Sequence, residues 1–411
     1  MNLSSFIARR IAFNQQKSFS RFIIRLSIAA TVISVAVMIV TLSFVNGFQD
    51  TVSEKVFSFW GHVRIGYRQP MKATIAEEEP IVANDSLVKK VRSIDGVSSI
   101  HPFATKYAIL KTPEEMEGVL LKGFDSTYDD KHLSDFLQDG RWIEYNDSTY
   151  SREIVISTTT AKLLELKLED RVLIYFVRPD GRLRPDRLTV VGIYKTSIDE
   201  YDKTFALGDL KLIRRLNGWE ENDIGGYEIF VNDYPQMDAV SNAIYDLDEF
   251  PQLWETKTIR EIYPYIFDWL EVIATNSAVL IAIMITIAII NLITCLIILV
   301  LERIRMIGVL KALGASNWTV QKIFLHHSLI ITVIGIVLGT AFALGLLWLQ
   351  QATGFVKLPE AEYYMDRAAV KIVWWQVAAV CGGTLIVSLL VLLIPSFIVR
   401  RVQPIKAIQF R

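Results

Sequence analysis

The sequence has few cysteines, and its polar part has none. Its 411 residues include two cysteines, Cys295 and Cys381, and both lie in long apolar runs. The polar part, roughly 220 residues long, is large enough to bury an adequate hydrophobic core without disulfides. We therefore expect this part of the chain to fold without a disulfide, even in an oxidising compartment.

The motifs of nucleotide-binding and hydrolytic proteins are also missing. The sequence has no G-x-x-x-x-G-K-[ST] phosphate-binding loop, no H-E-x-x-H and no G-x-S-x-G. The acidic runs at 77–79 and 199–202 are expected to be solvated loops, and the histidines lack the spacing of metal ligands. We predict no catalytic residue and no metal site in this chain. The five histidines are His62, His101, His132, His326 and His327.

Charge is absent from four long stretches, residues 26–49, 272–301, 323–356 and 372–399. Each exceeds the about 20 apolar residues that an α-helix needs to cross the hydrocarbon core of a bilayer. The first is also longer than the apolar core of a secretory signal, which has about 7 to 15 residues. We predict four transmembrane helices. Chemistry or ion passage inside a membrane needs ionisable side chains, so their absence favours a mechanical role.

The charges outside the apolar stretches predict the topology. Basic residues without acids precede the first span and follow the last, which places both termini in the cytoplasm. The segment 48–268 has 27 Lys and Arg against 39 Asp and Glu, a net charge of −12, and is predicted to be exported. Such an acidic domain argues against nucleic acid as a partner.

The exported segment mixes strand and helix patterns, which predicts an α+β fold. Short runs rich in β-branched and aromatic residues predict strands, and apolar residues at helical spacing predict helices between them. The predicted strands are HVRIGYR, YAIL, GVLLKGF, EIVIS, RVLIYFV, RLTVVGIY and YEIFV, and the predicted helices are 86–94, 158–166, 207–216 and 237–247.

One hairpin of the exported segment is strongly basic. The run VRPDGRLRPDRL, residues 177–188, predicts two strands joined by a tight turn at Pro-Asp-Gly. Arg178, Arg182, Arg184 and Arg187 crowd on it, so a basic protrusion stands in an acidic domain. The pattern fits either a solvated hairpin tip or a contact for a partner.

Aromatic residues mark the boundary between the exported segment and the spans. Residues 259–273 predict one helix that runs into the second span, with Tyr263, Tyr265 and Trp269 at headgroup depth. Phe44 and Phe48 leave the first span at the same depth. These aromatics form either an interfacial belt or the walls of an apolar cleft.

Small residues recur in the third apolar run. Gly335, Gly339 and Ala343 lie at four-residue intervals, a pattern that permits close approach of another helix. Packing within the chain and packing between two copies are equally good interpretations.

A short charged segment, residues 302–316, separates the second and third apolar runs. Val309, Leu310 and Leu313 recur at helical spacing, and Gly314 is a plausible C-terminal stop. The segment predicts one short helix on the cytoplasmic face of the membrane. From the pattern alone it is either a solvated interfacial helix or a docking site.

This segment, ERIRMIGVLKALGAS, resembles the coupling segment of permeases in the FtsX/MacB-type ABC transporter superfamily. FIARRIAF, LSFVNGFQ and FWGHVRI near the start are similar to the lipoprotein-releasing permeases of LolC/LolE type, and the ending VRRVQPIKAIQFR is similar to that of the superfamily. Where the family usually has an acidic residue before the Ile-Gly pair, this chain has Met306.

The resemblance implies a polytopic α-helical membrane protein of a bacterial inner membrane, with both termini cytoplasmic. It implies four transmembrane helices and a large α+β periplasmic domain between the first two. The predicted bounds are 1–21 for a cytoplasmic amphipathic segment, 22–48 for helix 1, 49–268 for the periplasmic domain, 269–301 for helix 2, 302–322 for the coupling helix, 323–350 for helix 3, 351–371 for a short periplasmic loop, 372–399 for helix 4 and 400–411 for a cytoplasmic tail.

The function implied by the resemblance is that of a permease subunit, not an enzyme, which extracts lipoproteins from the inner membrane for a periplasmic carrier. A separate ATPase dimer is expected to bind ATP and Mg, and this chain is expected to hold no cofactor. The other implied partners are a second or related permease, membrane lipids, acylated cargo and the carrier. The implied residues are Glu302, Arg303, Arg305, Ile307, Leu310, Lys311, Leu313 and Gly314 for ATPase coupling, Phe44, Phe48, Phe267 and Leu270 for a substrate cleft, and Arg178, Arg182 and Arg184 for the carrier.

Two other functions fit the superfamily. One is export of amphiphilic peptides or drugs, and the other is FtsX-like activation of a periplasmic cell-wall hydrolase.

Extraction of a lipid anchor from the membrane costs about 0.8 kcal/mol per buried CH₂, so extraction of one acyl chain costs more than about 10 kcal/mol. This cost makes an ATP-driven transporter physically sensible for lipoprotein release.

Overall fold

The computed structural model describes residues 19–69, 77–146, 149–177, 182–302 and 304–401. These residues form two compact units. The helical unit contains the described chain up to Asp50, Leu270–Lys357 and the chain from Arg367 onward, and the sheet unit contains Thr51–Trp269 and Leu358–Asp366. Most of the predicted N-terminal segment 1–21 and of the tail 400–411 lies outside the described residues.

The described chain contains twelve α-helices, from short turns to membrane-length segments. They are α1 (Phe19–Trp60), α2 (Asp85–Ser93), α3 (Thr158–Leu163), α4 (Asp199–Thr204), α5 (Leu210–Asn217), α6 (Met237–Tyr245), α7 (Ile259–Ile262), α8 (Pro264–Glu302), α9 (Ile304–Ala312), α10 (Asn317–Thr353), α11 (Glu360–Tyr363) and α12 (Trp374–Arg401).

Among the described residues, three helices are long and apolar enough to cross a membrane: Ile24–Trp60 of α1, Pro264–Cys295 of α8 and Trp318–Thr353 of α10. They confirm three of the four predicted spans. In α12 the apolar stretch Trp374–Leu390 is shorter. The fourth transmembrane helix therefore stays a prediction.

The described strands of the sheet unit build one large mixed sheet and a separate two-stranded pair. The strands are β1 (Val63–Tyr67), β2 (Ile81–Val82), β3 (Val97–Lys111), β4 (Met116–Phe124), β5 (Leu137–Gly140), β6 (Glu153–Ser157), β7 (Arg171–Val177), β8 (Leu183–Tyr194), β9 (Phe205–Asp209), β10 (Asp223–Ile224), β11 (Gly226–Val231) and β12 (Trp254–Thr258).

The large sheet has the order β12-β1-β11-β3-β4-β9-β6-β8-β5, with β7 pairing β3 and β8, and β10 pairs with β2. The β4/β9 and β6/β8 pairs are parallel, whereas the other pairs are antiparallel. All seven predicted strands are present. The predicted helix 207–216 begins later, at Leu210, because residues 205–209 form β9 between β4 and β6.

The predicted continuous helix over 259–273 is wrong. The chain forms α7, breaks at Tyr263, and resumes as α8 at Pro264. A proline disfavours helical backbone at the preceding residue, and Tyr263 has φ −122° and ψ 57°. The Tyr263 side chain is buried inside the sheet unit, with its ring 5.8 Å from that of Tyr201, so it is not part of an interfacial belt.

The small residues of α10 pack within the chain. A Cβ added at Gly335 would lie 2.7 Å from Cβ of Thr31, and one added at Gly339 would lie 2.8 Å from the backbone oxygen of Val32. Both contacts are to α1 and belong to the helical unit. Intramolecular packing therefore accounts for these two glycines.

Three histidines that are far apart in the sequence gather around Phe230 of β11. The rings of His132 and Phe230 stack with centroids 3.7 Å apart, and His62 and His101 approach Phe230 at 6.2 and 6.0 Å. The N–H of Val231 donates to Nδ1 of His62 at 3.2 Å, which requires that nitrogen to be unprotonated. These histidines form an aromatic cluster.

His62→Phe is expected to reduce the loss of stability on acidification. Burial, and to a lesser degree the charge of His132, lower the pKa of His62 from 6.5 to about 4. The unfolded chain thus binds more protons between these values, so His62 makes stability fall as pH drops from 6.5 to 4, by up to about 3 kcal/mol. Thermal unfolding at pH 4.5 and 7 measures this. If the melting temperature of the variant falls between pH 7 and 4.5 as much as that of the parent, His62 is not a source of the acid sensitivity.

Candidate functional site

The charged segment between the second and third apolar runs folds as the short helix α9. Gly314 has φ +91°, its N–H donates to the carbonyl of Lys311 at 3.0 Å, and the N–H of Ala315 donates to that of Leu310 at 2.9 Å. These two bonds form a Schellman motif, which satisfies carbonyls at the helix end and needs a residue that tolerates positive φ. The predicted stop at Gly314 is confirmed.

The next helix begins almost at once. Ser316 caps α10 by accepting a hydrogen bond from the N–H of Thr319 at 3.2 Å. The segment 313–316 is therefore a tight connection fixed at both ends by backbone hydrogen bonds. It holds the last turn of α9 and the first turn of α10 next to each other.

One face of α9 is part of the core of the helical unit. Ile307 is 0% exposed and packs with Leu292, Val300 and Val320, and Leu310 lies partly buried against the same cluster. Ile307 was predicted to dock on a partner, and this is corrected because its side chain is enclosed by its own chain. It holds α9 in place from the inside.

The opposite face of α9 is apolar and exposed. Leu313 is 81% exposed, Val309 is 51% exposed, and Trp318 at the start of α10 is 52% exposed. We call these three side chains the α9 surface. Leu313 was predicted to belong to such a surface, whereas Val309 and Trp318 were not. Val309 shared the helical spacing of the segment, and this spacing could have identified it.

The charged residues predicted for coupling flank α9. Glu302 is the last residue of α8, Arg305 lies in the first turn of α9 and Lys311 in its last turn. Arg303 lies outside the described residues. Their role in coupling stays a prediction.

The residues predicted to line a cleft do not form one exposed group. In the helical unit Phe48 and Leu270 are buried, and Phe44 packs against the core that contains Met38 and Leu347. In the sheet unit the ring of Phe267 stacks on Phe57 at 5.8 Å. The role of these four residues in binding substrate also stays a prediction.

The predicted basic hairpin is confirmed as the antiparallel pair β7 and β8, in which Val177 faces Leu183. Arg178 and the Pro-Asp-Gly turn lie outside the described residues. Arg182 is exposed just before β8, and Arg184 is half-buried opposite Phe176.

An apolar sheet face continues from this hairpin across β7, β3 and β4. In the strand register Tyr175 of β7 lies beside Ile109 of β3, and Ile109 lies beside Gly118 of β4. A Cβ at Gly118 would meet nothing within 4 Å. A continuous apolar run such as that of β7 normally predicts burial on both sides of a sheet, yet only one side is buried here. The apolar sheet face consists of Tyr107, Ile109, Met116, Leu173, Tyr175, Val177 and Leu183, all exposed or half-buried.

The part of the chain that the structure describes has three helices of membrane length, a short helix between the second and third, and a mixed-sheet unit inserted after the first. This arrangement is that of a multi-pass membrane protein. Residues 26–246 match the MacB-like periplasmic core domain, and residues 278–404 match the FtsX-like permease C-terminal family. The first match covers more than half of the chain. The chain belongs to the family of MacB-like periplasmic core domain proteins, joined to an FtsX-like permease region.

Curated relatives match along almost the whole chain. The transmembrane protein LolE of the lipoprotein-releasing system of Haemophilus influenzae is 25% identical, over 98% of each chain. LolC of the same system is 22% identical in Neisseria meningitidis, over 98% of this chain and 97% of that protein. LolC of Haemophilus influenzae is 23% identical, over 95% of this chain and 94% of that protein.

Proposed function

We propose that this chain is the permease subunit of an ATP-driven transporter that releases lipoproteins from the inner membrane and passes them to a periplasmic carrier. The observation that carries the proposal is the similarity to lipoprotein-releasing transmembrane proteins over both units of the chain. In this proposal the chain catalyses no reaction, and a separate ATPase dimer binds ATP and Mg.

The α9 surface is the proposed docking site for that ATPase. Of its three exposed apolar side chains, Val309 lies on α9, Leu313 directly follows α9, and Trp318 lies at the start of α10. The other face of α9 is fixed in the helical unit through Ile307. A partner that pushes on this surface would therefore move the helical unit and not only a loose loop. A second copy of this chain or a related permease is proposed to complete the transporter.

The proposal is tested by release of an acylated lipoprotein from proteoliposomes that contain the permease and its ATPase. Addition of ATP should lead to transfer of the lipoprotein to a soluble carrier. A photocrosslinker placed at Phe44 or Phe267 should capture the acylated cargo. The same crosslinker at Leu253, an exposed side chain of the sheet unit, is the matched control. Hydrolysis of ATP without transfer would contradict the proposed function.

The proposed topology has four transmembrane helices, both termini in the cytoplasm and the sheet unit in the periplasm. It rests on the basic termini and the net charge of −12 in residues 48–268. The test uses spheroplasts that express the permease with Cys295 and Cys381 replaced. An impermeant thiol reagent should modify the Leu253→Cys variant of this protein and should not modify the Leu313→Cys variant. Labelling of Leu313→Cys without labelling of Leu253→Cys would indicate the opposite topology.

The hairpin and the apolar sheet face are the proposed contact for the carrier. Arg178, Arg182 and Arg184 make the hairpin basic, while the sheet face offers apolar side chains such as Met116. A carrier that shields an acyl chain has apolar surface of its own, and burial against this face would drive association. An acidic patch on the carrier would pair with the arginines.

Met116→Glu is expected to weaken binding of the carrier about tenfold, because it removes apolar burial worth about 1.5 kcal/mol or more. Met116 is 59% exposed, so the fold should not change. Titration of the purified carrier onto the permease measures the effect. Leu253→Glu, outside this face, serves as the control, and equal affinities for both variants would exclude the face as the contact.

A further inference from the structure

The C-terminal end of α1 is enclosed in the sheet unit. Phe59 and Trp60 are buried, and the ring of Phe59 stacks on Tyr201 with centroids 5.0 Å apart. Gly61 has φ +72°, and its N–H donates to the carbonyl of Phe57 at 2.7 Å. This left-handed residue ends the helix. The last turn of α1 is therefore packed on its sides and closed at its end.

A buried lysine binds one of the last carbonyls of α1. The final four carbonyls of a helix have no partner inside the helix. Lys122 of β4 is 0% exposed, and its Nζ donates to the carbonyl oxygen of Phe59. Nζ also lies 4.2 Å from the ring centroid of Trp60. A cation at this place is attracted both by the ring and by the negative end of the helix dipole.

Lys122 is in turn held by Glu228 of β11, which is also 0% exposed. Nζ of Lys122 lies 2.7 Å from Oε1 of Glu228. Strands β4 and β11 lie on either side of β3, so the pair spans the middle of the sheet. Arg64 of β1 extends the network, with Nε 4.0 Å from Glu228 and Nη2 3.1 Å from Glu78. The end of α1 is thus connected to several strands through polar contacts.

Stability alone does not account for this pair. Burial lowers the pKa of Lys122 to about 8 and raises the pKa of Glu228, because both charges are removed from water. Replacing a buried ion pair by apolar side chains of similar volume is often neutral or stabilising. What an apolar pair lacks is a donor directed at the carbonyl of Phe59.

We propose that Lys122 and Glu228 are positioning residues that fix the end of α1 to the sheet. A movement of α1 is then transmitted to the strands of the sheet unit, because the end of the helix cannot shift relative to them. The proposal rests on the proposed function, in which ATP-driven movement begins at the α9 surface. It concerns α1 because this helix contains a candidate membrane span and ends at Trp60 beside Lys122.

The test is the number of lipoproteins released per ATP hydrolysed by the full complex in proteoliposomes. In the double variant Lys122→Met with Glu228→Met, this ratio is expected to fall about tenfold. The melting temperature should stay within about 3 °C of the parent, and copurification of the ATPase should not change. The control is Lys90→Met with Glu249→Met, which removes an exposed ion pair of the same unit and should keep the parental ratio.

A second measurement uses the unmodified chain and does not depend on the folding of a variant. During ATP turnover the amide of Gly61 is expected to exchange with deuterium as slowly as the amides of β3. Fast exchange at Gly61 with protected β3 amides would mean that the helix end opens, and it would overturn the proposal. A parental release ratio in the stable double variant would overturn it as well.

Failure of the inference can be told apart from failure of the proposed function. If the parent complex hydrolyses ATP and transfers no lipoprotein, the proposed function fails and the inference loses its basis. If the parent transfers lipoprotein and the double variant does so equally well, only the role of Lys122 and Glu228 is refuted.

Discussion

Leu313→Glu is expected to weaken association of the permease with its ATPase by about 100-fold. Leu313 is the most exposed of the three side chains of the α9 surface, and its burial against a partner would contribute about 1.5 to 3 kcal/mol. The variant loses this burial and places an unpaired carboxylate in the interface, which adds a desolvation cost. The measurement is copurification of the ATPase with tagged permease, followed by titration of the two components.

The fold of the variant should be unaffected, because Leu313 makes little contact with its own chain. Leu253→Glu, a change of the same chemistry at an exposed position of the sheet unit, should retain full association. Ile307→Glu makes a different comparison, because it should destabilise the helical unit itself by burying a charge in the core. Full ATPase binding and coupling by Leu313→Glu would reduce α9 to an interfacial turn and remove the docking proposal.

Lys122→Ala is expected to cost about 3 to 5 kcal/mol of stability at pH 7, because it leaves Glu228 buried without its partner. For a unit of this size the melting temperature should fall by at least about 6 °C. Glu228 has its pKa raised by burial, so a proton taken up at lower pH removes the uncompensated charge. The deficit should therefore shrink as pH falls from 8 to 5, and thermal unfolding across this range measures it.

The apolar double variant separates this effect from a general loss of packing. Lys122→Met with Glu228→Met removes both charges and should recover most of the lost stability. A single variant as stable as the parent would show that Glu228 finds another partner. A deficit independent of pH would assign the loss to packing and not to charge.

The amino-acid sequence by itself determined the elements that depend on neighbouring residues. Uncharged runs of sufficient length predict helices that can cross a membrane, and three of them are present in the described chain. Runs of β-branched and aromatic residues predicted seven strands that form, and Gly314 predicted the end of α9 because few other residues tolerate its positive φ. The break before Pro264 follows from an equally local rule, although the helical pattern on either side of it concealed it.

The tertiary structure decided which side of each element is used. Both faces of α9 carry apolar side chains, so spacing alone cannot tell that Ile307 is enclosed while Val309 and Leu313 are exposed. The same holds for the strand runs, where one apolar side became core and the other became the apolar sheet face. Residues 207–209 of strand β9 were predicted as the start of a helix, because only the pairing of this strand with β4 and β6 holds them extended.

The pairing of distant strands also decided which charged side chains are buried. Lys122 lies in an apolar part of β4 and Glu228 is the one charged residue of β11, a pattern that indicates a solvent-facing position on a half-buried sheet. The fold instead places both inside, beside the end of α1, where the pairing of strands more than 100 residues apart in the sequence brings the two charges into contact. A local pattern specifies which residues can be buried, whereas the energy of burying a charge depends on the partner that only the folded chain supplies.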